Sequence, residues 1–63
     1  MKVHLIKEKK EITSKARSVK ELLTELKINH TTVVVARNKK LVTLNAQLKE
    51  EDEVIIYPVI SGG

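Results

Sequence analysis

A chain of 63 residues holds one small domain; at that size only about 60% of the unfolded surface is buried, which leaves little room for a deep active site of its own. Cysteine is absent, which excludes disulfides, thiolate-held zinc and thiol nucleophiles. The formal charge of +4 comes from scattered lysines, and with a single aromatic, Tyr57, there is no ladder on which bases could stack, so nucleic acid is not expected as a direct partner. The opening Met1-Lys2-Val3-His4-Leu5-Ile6 runs straight into Lys7, Glu8, Lys9 and Lys10, unlike a secretory leader. No apolar run approaches the roughly 20 residues that span a bilayer. These features lead us to expect a cytoplasmic protein with no membrane partner.

Residues 2–7 alternate, with Val3 and Leu5 on one face and His4 and Ile6 on the other, as in a half-buried strand. A polar break at 8–10 leads to a shorter strand at Glu11-Ile12-Thr13, completing a hairpin. Ser18-Val19-Lys20-Glu21 has the form of a capping box. Val19, Leu22, Leu23 and Leu26 follow as one apolar helical stripe, with Asn29 as the expected left-handed terminator. The β-branched run from Thr31 to Ala36 predicts a buried strand. Residues 37–40 predict a turn, and Leu41-Val42 an extended return. Residues 43–51 are irregular, anchored by Leu44 and Leu48, and Glu53 to Tyr57 predicts a strong strand stopped by Pro58.

Two hairpin strands, a crossover helix and three further strands predict an α+β domain. The expected arrangement is the β-grasp: a mixed sheet of four or five strands, the first and last paired in parallel at its centre, with one main helix on one face. Residues 1–57 form the expected domain and 58–63 a flexible tail ending in Gly62-Gly63, the only glycines of the chain. With both glycines there, no phosphate-cradling loop exists elsewhere. Five residues beyond Pro58, fully extended, reach about 16 Å, enough to carry a terminal carboxylate into another protein's cleft. Glycines without Cβ atoms would fit a channel shaped for backbone alone.

His4 and His30 are far apart in sequence and lack a matching set of carboxylates or thiols, so no metal site is expected. Ser14, Ser18 and Ser61 have no His and Asp arrangement to activate them. The run from Glu50 to Glu53 lacks calcium-loop spacing and is expected to be a solvated turn.

Three stretches carry a family resemblance: Ala36-Arg37-Asn38-Lys39-Lys40-Leu41-Val42, then Leu48 with Asp52-Glu53-Val54, then Tyr57-Pro58-Val59-Ile60-Ser61-Gly62-Gly63. Together they resemble the small subunit of molybdopterin synthase, the thiamine-biosynthesis sulfur carrier and the archaeal ubiquitin-like modifiers. The helix opening from Ser18 to Leu23 also looks like theirs. Two departures stand out. Glu51 occupies the place of the usual glycine before Asp-Glu-Val, which predicts a longer or less tight turn, and Pro58-Val59 replaces a frequent pair of prolines.

The resemblance implies a carrier, not an enzyme, that binds no cofactor of its own. Its Gly63 carboxylate would be adenylated by a ubiquitin-activating-like partner using ATP and magnesium. Sulfur from a persulfide donor would then give a thiocarboxylate, serving cofactor biosynthesis of the molybdopterin or thiamine type. Gly62 would keep the tail slim. The resemblance and the strand alternation together give the expected partner contacts as Ile6, Leu41, Tyr57, Pro58, Val59, Ile60 and Ser61, with a larger synthase subunit as a further partner. The alternatives are a protein modifier or tRNA-thiolation carrier using the same Gly63, and a β-grasp binding module with no such chemistry.

Overall fold

The structure, a computed structural model, describes residues 1–59. Its elements are β1 (Lys2–Leu5), β2 (Lys10–Thr13), α1 (Val19–Glu25), a 3-10 turn (His30–Thr32), β3 (Val33–Arg37), β4 (Lys40–Val42) and β5 (Glu53–Pro58). They form one five-stranded sheet in the order β2-β1-β5-β3-β4. β1 and β5 pair in parallel, Val3 opposite Val54 and Leu5 opposite Ile56, while the other three pairings are antiparallel. This is the expected β-grasp, with the first and last strands side by side at the centre.

Strand alternation sends Val3, Leu5, Val35, Val54 and Ile56 to the face that meets Val19, Leu22 and Leu23 of α1. Leu48 and Ala16 close the core from the loops, and Leu44 packs against it as the second loop anchor. Among the described residues no helix is long and apolar enough to cross a membrane.

Ser18 caps α1 as its sequence predicts, accepting from the Glu21 amide at 3.1 Å. The next orphan donors go to the irregular segment: the Val19 amide to the Ala46 carbonyl and the Lys20 amide to the Leu44 carbonyl, at 3.0 and 3.1 Å. Residues 43–51 therefore complete the helix that they pack beside.

The structure corrects four local expectations. The helix ends at Glu25 with Leu26 as its C-cap, and the left-handed terminator is Lys27, not Asn29. Lys27 takes the left-handed conformation at φ 58°, and the amides of Lys27 and Ile28 bond back to Thr24 and Leu23, which is the Schellman closure. Asn29 instead caps the 3-10 turn, accepting from the Thr31 amide at 3.0 Å. Thr31 and Thr32 fall in that turn, so β3 starts at Val33, and Val34 lies on the exposed side of the strand instead of being buried.

The turn before β5 is tight despite Glu51, because the Asp52 amide reaches the Lys49 carbonyl at 3.0 Å with no positive φ in the turn, and nothing there demands glycine. Finally, pairing runs past Tyr57. Pro58 lies opposite Val33, and the Val59 amide donates to Thr32 at 2.9 Å. Proline is tolerated there because its missing amide would face β1 beyond that strand's last residue; the Ile6 carbonyl on that side is taken by the Lys9 amide.

Leu22 is fully buried at the centre of the helix–sheet contact. Leu22→Ala is expected to cost about 2–5 kcal/mol out of a total that is roughly 3–9 kcal/mol for a chain of this length. Urea denaturation should show the midpoint falling with an unchanged slope; a loss well below that range would mean that the core collapses around the gap.

Candidate partner-binding face and tail root

The sheet face away from α1 has no element covering it among the described residues. Register aligns its side chains in rows. Glu11, His4, Ile55, Ala36 and Leu41 stand across the five strands in one row. In the next, Tyr57 lies opposite Val34, and Ile6, whose amide donates to the Ile56 carbonyl at 3.2 Å, continues the register of β1 beside Tyr57.

Ile6, Val34, Leu41 and Tyr57 are all exposed, Leu41 to 72%. An aliphatic side chain that open, on a sheet face with three other large apolar groups, is the surface character of an interaction site. The face brings together the expected trio of Ile6, Leu41 and Tyr57. Sequence reasoning missed Val34, although its parity within the β-branched run, out of phase with Val33 and Val35, was the signal that could have found it.

At the margin of this face His4 sits between two carboxylates, with Nδ1 3.3 Å from Glu11 and Nε2 3.6 Å from Glu53. These contacts bridge β2, β1 and β5 and are polar neighbours of the apolar patch. His30 lies elsewhere, exposed in the 3-10 turn.

The hairpin that carries Leu41 is held to β5 by a clasp. Asn38 and Lys39 both take positive φ, 51° and 71°, so the two-residue connection has the type I′ pattern. The Asn38 amide donates to the Glu53 carbonyl at 2.8 Å, and its side-chain carbonyl accepts from the Glu53 amide at 3.0 Å. Its side-chain Nδ2 donates to Asp52 Oδ1 at 3.0 Å, while Asp52 Oδ2 accepts from the Lys49 amide at 2.8 Å. Asp52 is a buried carboxylate, and the described buried polar side chains all have partners. The Lys49 amide, followed by the Asn38 side chain, holds its carboxyl below the usual carboxylate range. Both residues belong to the motifs of the family resemblance, and the clasp is their physical role here.

The chain leaves this scaffold at Val59, half-exposed and tied to Thr32 through its amide. Pro58 and Val59 thus form the tail root beside Tyr57. The remaining expected site residues, Ile60, Ser61, Gly62 and Gly63, lie outside the described residues.

Asp52→Asn keeps the shape but puts an amide donor against the donors of Lys49 or Asn38, and is expected to cost about 1–3 kcal/mol at neutral pH. Because the folded carboxyl is depressed, its contribution is fully present above the unfolded value of about 4 and is lost as the pH falls below it through the folded pKa. Chemical denaturation of the two proteins across that range should show the wild-type advantage closing in acid. An advantage that persists unchanged below the folded pKa would contradict the clasp.

Comparison with known proteins agrees with this architecture. The model of the ThiS family matches residues 3–63, nearly the whole chain. The sulfur carrier protein TtuB of Thermus thermophilus is 42% identical over 57 residues, covering 89% of this chain and 88% of its own length. A match of that extent, on a five-stranded β-grasp sheet with its Asn38–Asp52 clasp, places the chain in the ThiS family of ubiquitin-like sulfur carriers.

Proposed function

We propose that this chain is a sulfur carrier whose reacting group is the carboxylate of Gly63. The observation that carries the reading is the family match extending through Gly63, together with a sulfur-carrier relative aligned over nearly the whole chain. The fold supports it: β5, a central strand, delivers the chain to the end of the sheet at Val59, and four further residues, if extended, reach about 13 Å.

A carboxylate resists nucleophiles because of its charge. Activation therefore starts with a Gly63 carboxylate oxygen attacking the α-phosphorus of ATP on a magnesium-bearing partner, expelling pyrophosphate. The terminal sulfur of a persulfide then attacks the acyl carbon and AMP leaves with the bonding pair. A thiol of the donor opens the resulting acyl disulfide, being oxidised to a disulfide as the Gly63 thiocarboxylate is released. The chain itself contributes the slim acyl group and the docking face, and the partner supplies the nucleotide site. Gly62 admits the tail to a channel that a Cβ would block. Ile6, Val34, Leu41 and Tyr57, with Pro58, Val59, Ile60 and Ser61, engage the partner. The thiocarboxylate then serves cofactor biosynthesis of the molybdopterin or thiamine type, in the cytoplasm, with a larger synthase subunit as the recipient.

The test is ATP–pyrophosphate exchange catalysed by the ubiquitin-activating-type adenylating enzyme of the source organism, with this chain as acceptor. Deletion of Gly63 should abolish exchange with no change in thermal stability. Leu41→Arg should raise KM on the order of tenfold by placing a charge in the apolar patch, with kcat nearly unchanged. Exchange that persists without Gly63 would refute the assignment of the reacting residue.

A further inference from the structure

A second concave surface adjoins the tail root on the helix side of the sheet, distinct from the apolar face. It is a groove of about 330 Å³ between the β1–β2 turn and the connection from α1 to the 3-10 turn. Its floor includes Leu5, Ile28 and Ile56, Val59 forms part of its wall, and Lys7 and Lys27 line it from the two separate connections. Glu8 is the one carboxylate among its lining residues. Among the described residues neither ammonium has a carboxylate within 4.0 Å.

Lys27 holds a left-handed backbone conformation, φ 58°, where glycine carries no steric penalty. Its charge also suits the C-terminal end of α1, which accounts for Lys27 but not for Lys7 in the facing turn. The fold thus brings two cations without a described carboxylate partner to one groove of mixed lining that reaches Val59, the last described residue.

Resting on the sulfur-carrier reading, we infer that this groove receives an acidic, apolar-tipped segment of the adenylating partner. An aliphatic or aromatic side chain lies against Ile28 and Val59, and flanking carboxylates meet Lys7 and Lys27. Ile28 and Val59 supply the apolar contact. The lysines, being exposed, contribute encounter rate and orientation more than affinity. The partner thereby holds the carrier from both sides of the tail root, by the apolar sheet face and by the groove.

The exchange assay separates this inference from the reading beneath it. Lys7→Glu/Lys27→Glu should raise KM for the carrier on the order of tenfold with kcat unchanged, and the increase should shrink at high salt. Lys15→Glu/Lys20→Glu, with the same net charge but away from the groove, should leave KM near the wild-type value. Because Glu at position 27 also loses the favourable charge at the end of α1, Lys7→Gln/Lys27→Gln is measured alongside, with an intermediate KM expected and folding checked by thermal melting. Equal KM for the groove variants and wild type, or equal increases for both double reversals, would overturn the groove while leaving the carrier reading intact. No exchange with the wild-type chain would overturn the carrier reading itself.

Discussion

The parallel pairing of β1 with β5 is the constraint on which the rest of the molecule depends. A parallel neighbour cannot be reached by a tight turn, so the chain between the two strands must cross over. That crossover carries α1 and leaves it on one face of the sheet. Val3 and Val54, paired across the two strands, are fully buried beneath it. Because β5 is interior to the sheet, its neighbours on both sides fix where it ends, and Val59 leaves it at a defined end of the sheet. Core stability and tail presentation thus come from the same pair of strands.

The sheet also has two unequal faces, and the inequality has a functional reading. Residues of one parity build the core with α1; those of the other parity include Ile6, Val34, Leu41 and Tyr57 with nothing over them among the described residues. Their arrangement depends on the β3–β4 hairpin staying in register with β5, which the Asn38–Asp52 clasp enforces. The irregular segment is part of the same economy of hydrogen bonds. Its carbonyls at Leu44 and Ala46 cap α1, the Gln47 carbonyl accepts from the Arg37 guanidinium at 2.5 Å, and the Lys49 amide binds Asp52. A segment without regular structure is held by bonds to both layers.

Much of the architecture was legible in the sequence because it rests on periodicity. Val3 and Leu5, the Val19-Leu22-Leu23 stripe and the Val54-Ile56 alternation announce their elements and faces directly, and the Ser18 cap is a local interaction readable from four residues. What escaped reading depends on backbone conformations that residue type does not announce. Lys27 adopts a left-handed position where Asn29 was the better candidate by propensity, and Glu51 fits a turn that needs no positive φ. Val34 was obscured by its β-branched neighbours, since a run of valines looks uniformly buried although alternation exposes every second one. The role of Asp52 could not be derived either, because its partner Asn38 lies 14 residues away and meets it only once the hairpin is folded. The groove between Lys7 and Lys27 is likewise a product of tertiary structure, joining two connections that are distant in the chain.

The central claim is that Gly63 carries sulfur, and intact-mass spectrometry of the untagged protein from its native cells tests it most directly. The account predicts a species heavier by the replacement of one oxygen by sulfur, localised to Gly63 by fragmentation and therefore distinct from oxidised Met1, and lost on alkaline hydrolysis. A Gly63 carboxylate that stays free in cells, and remains so after incubation with ATP and native extract, would contradict it and leave a β-grasp binding module.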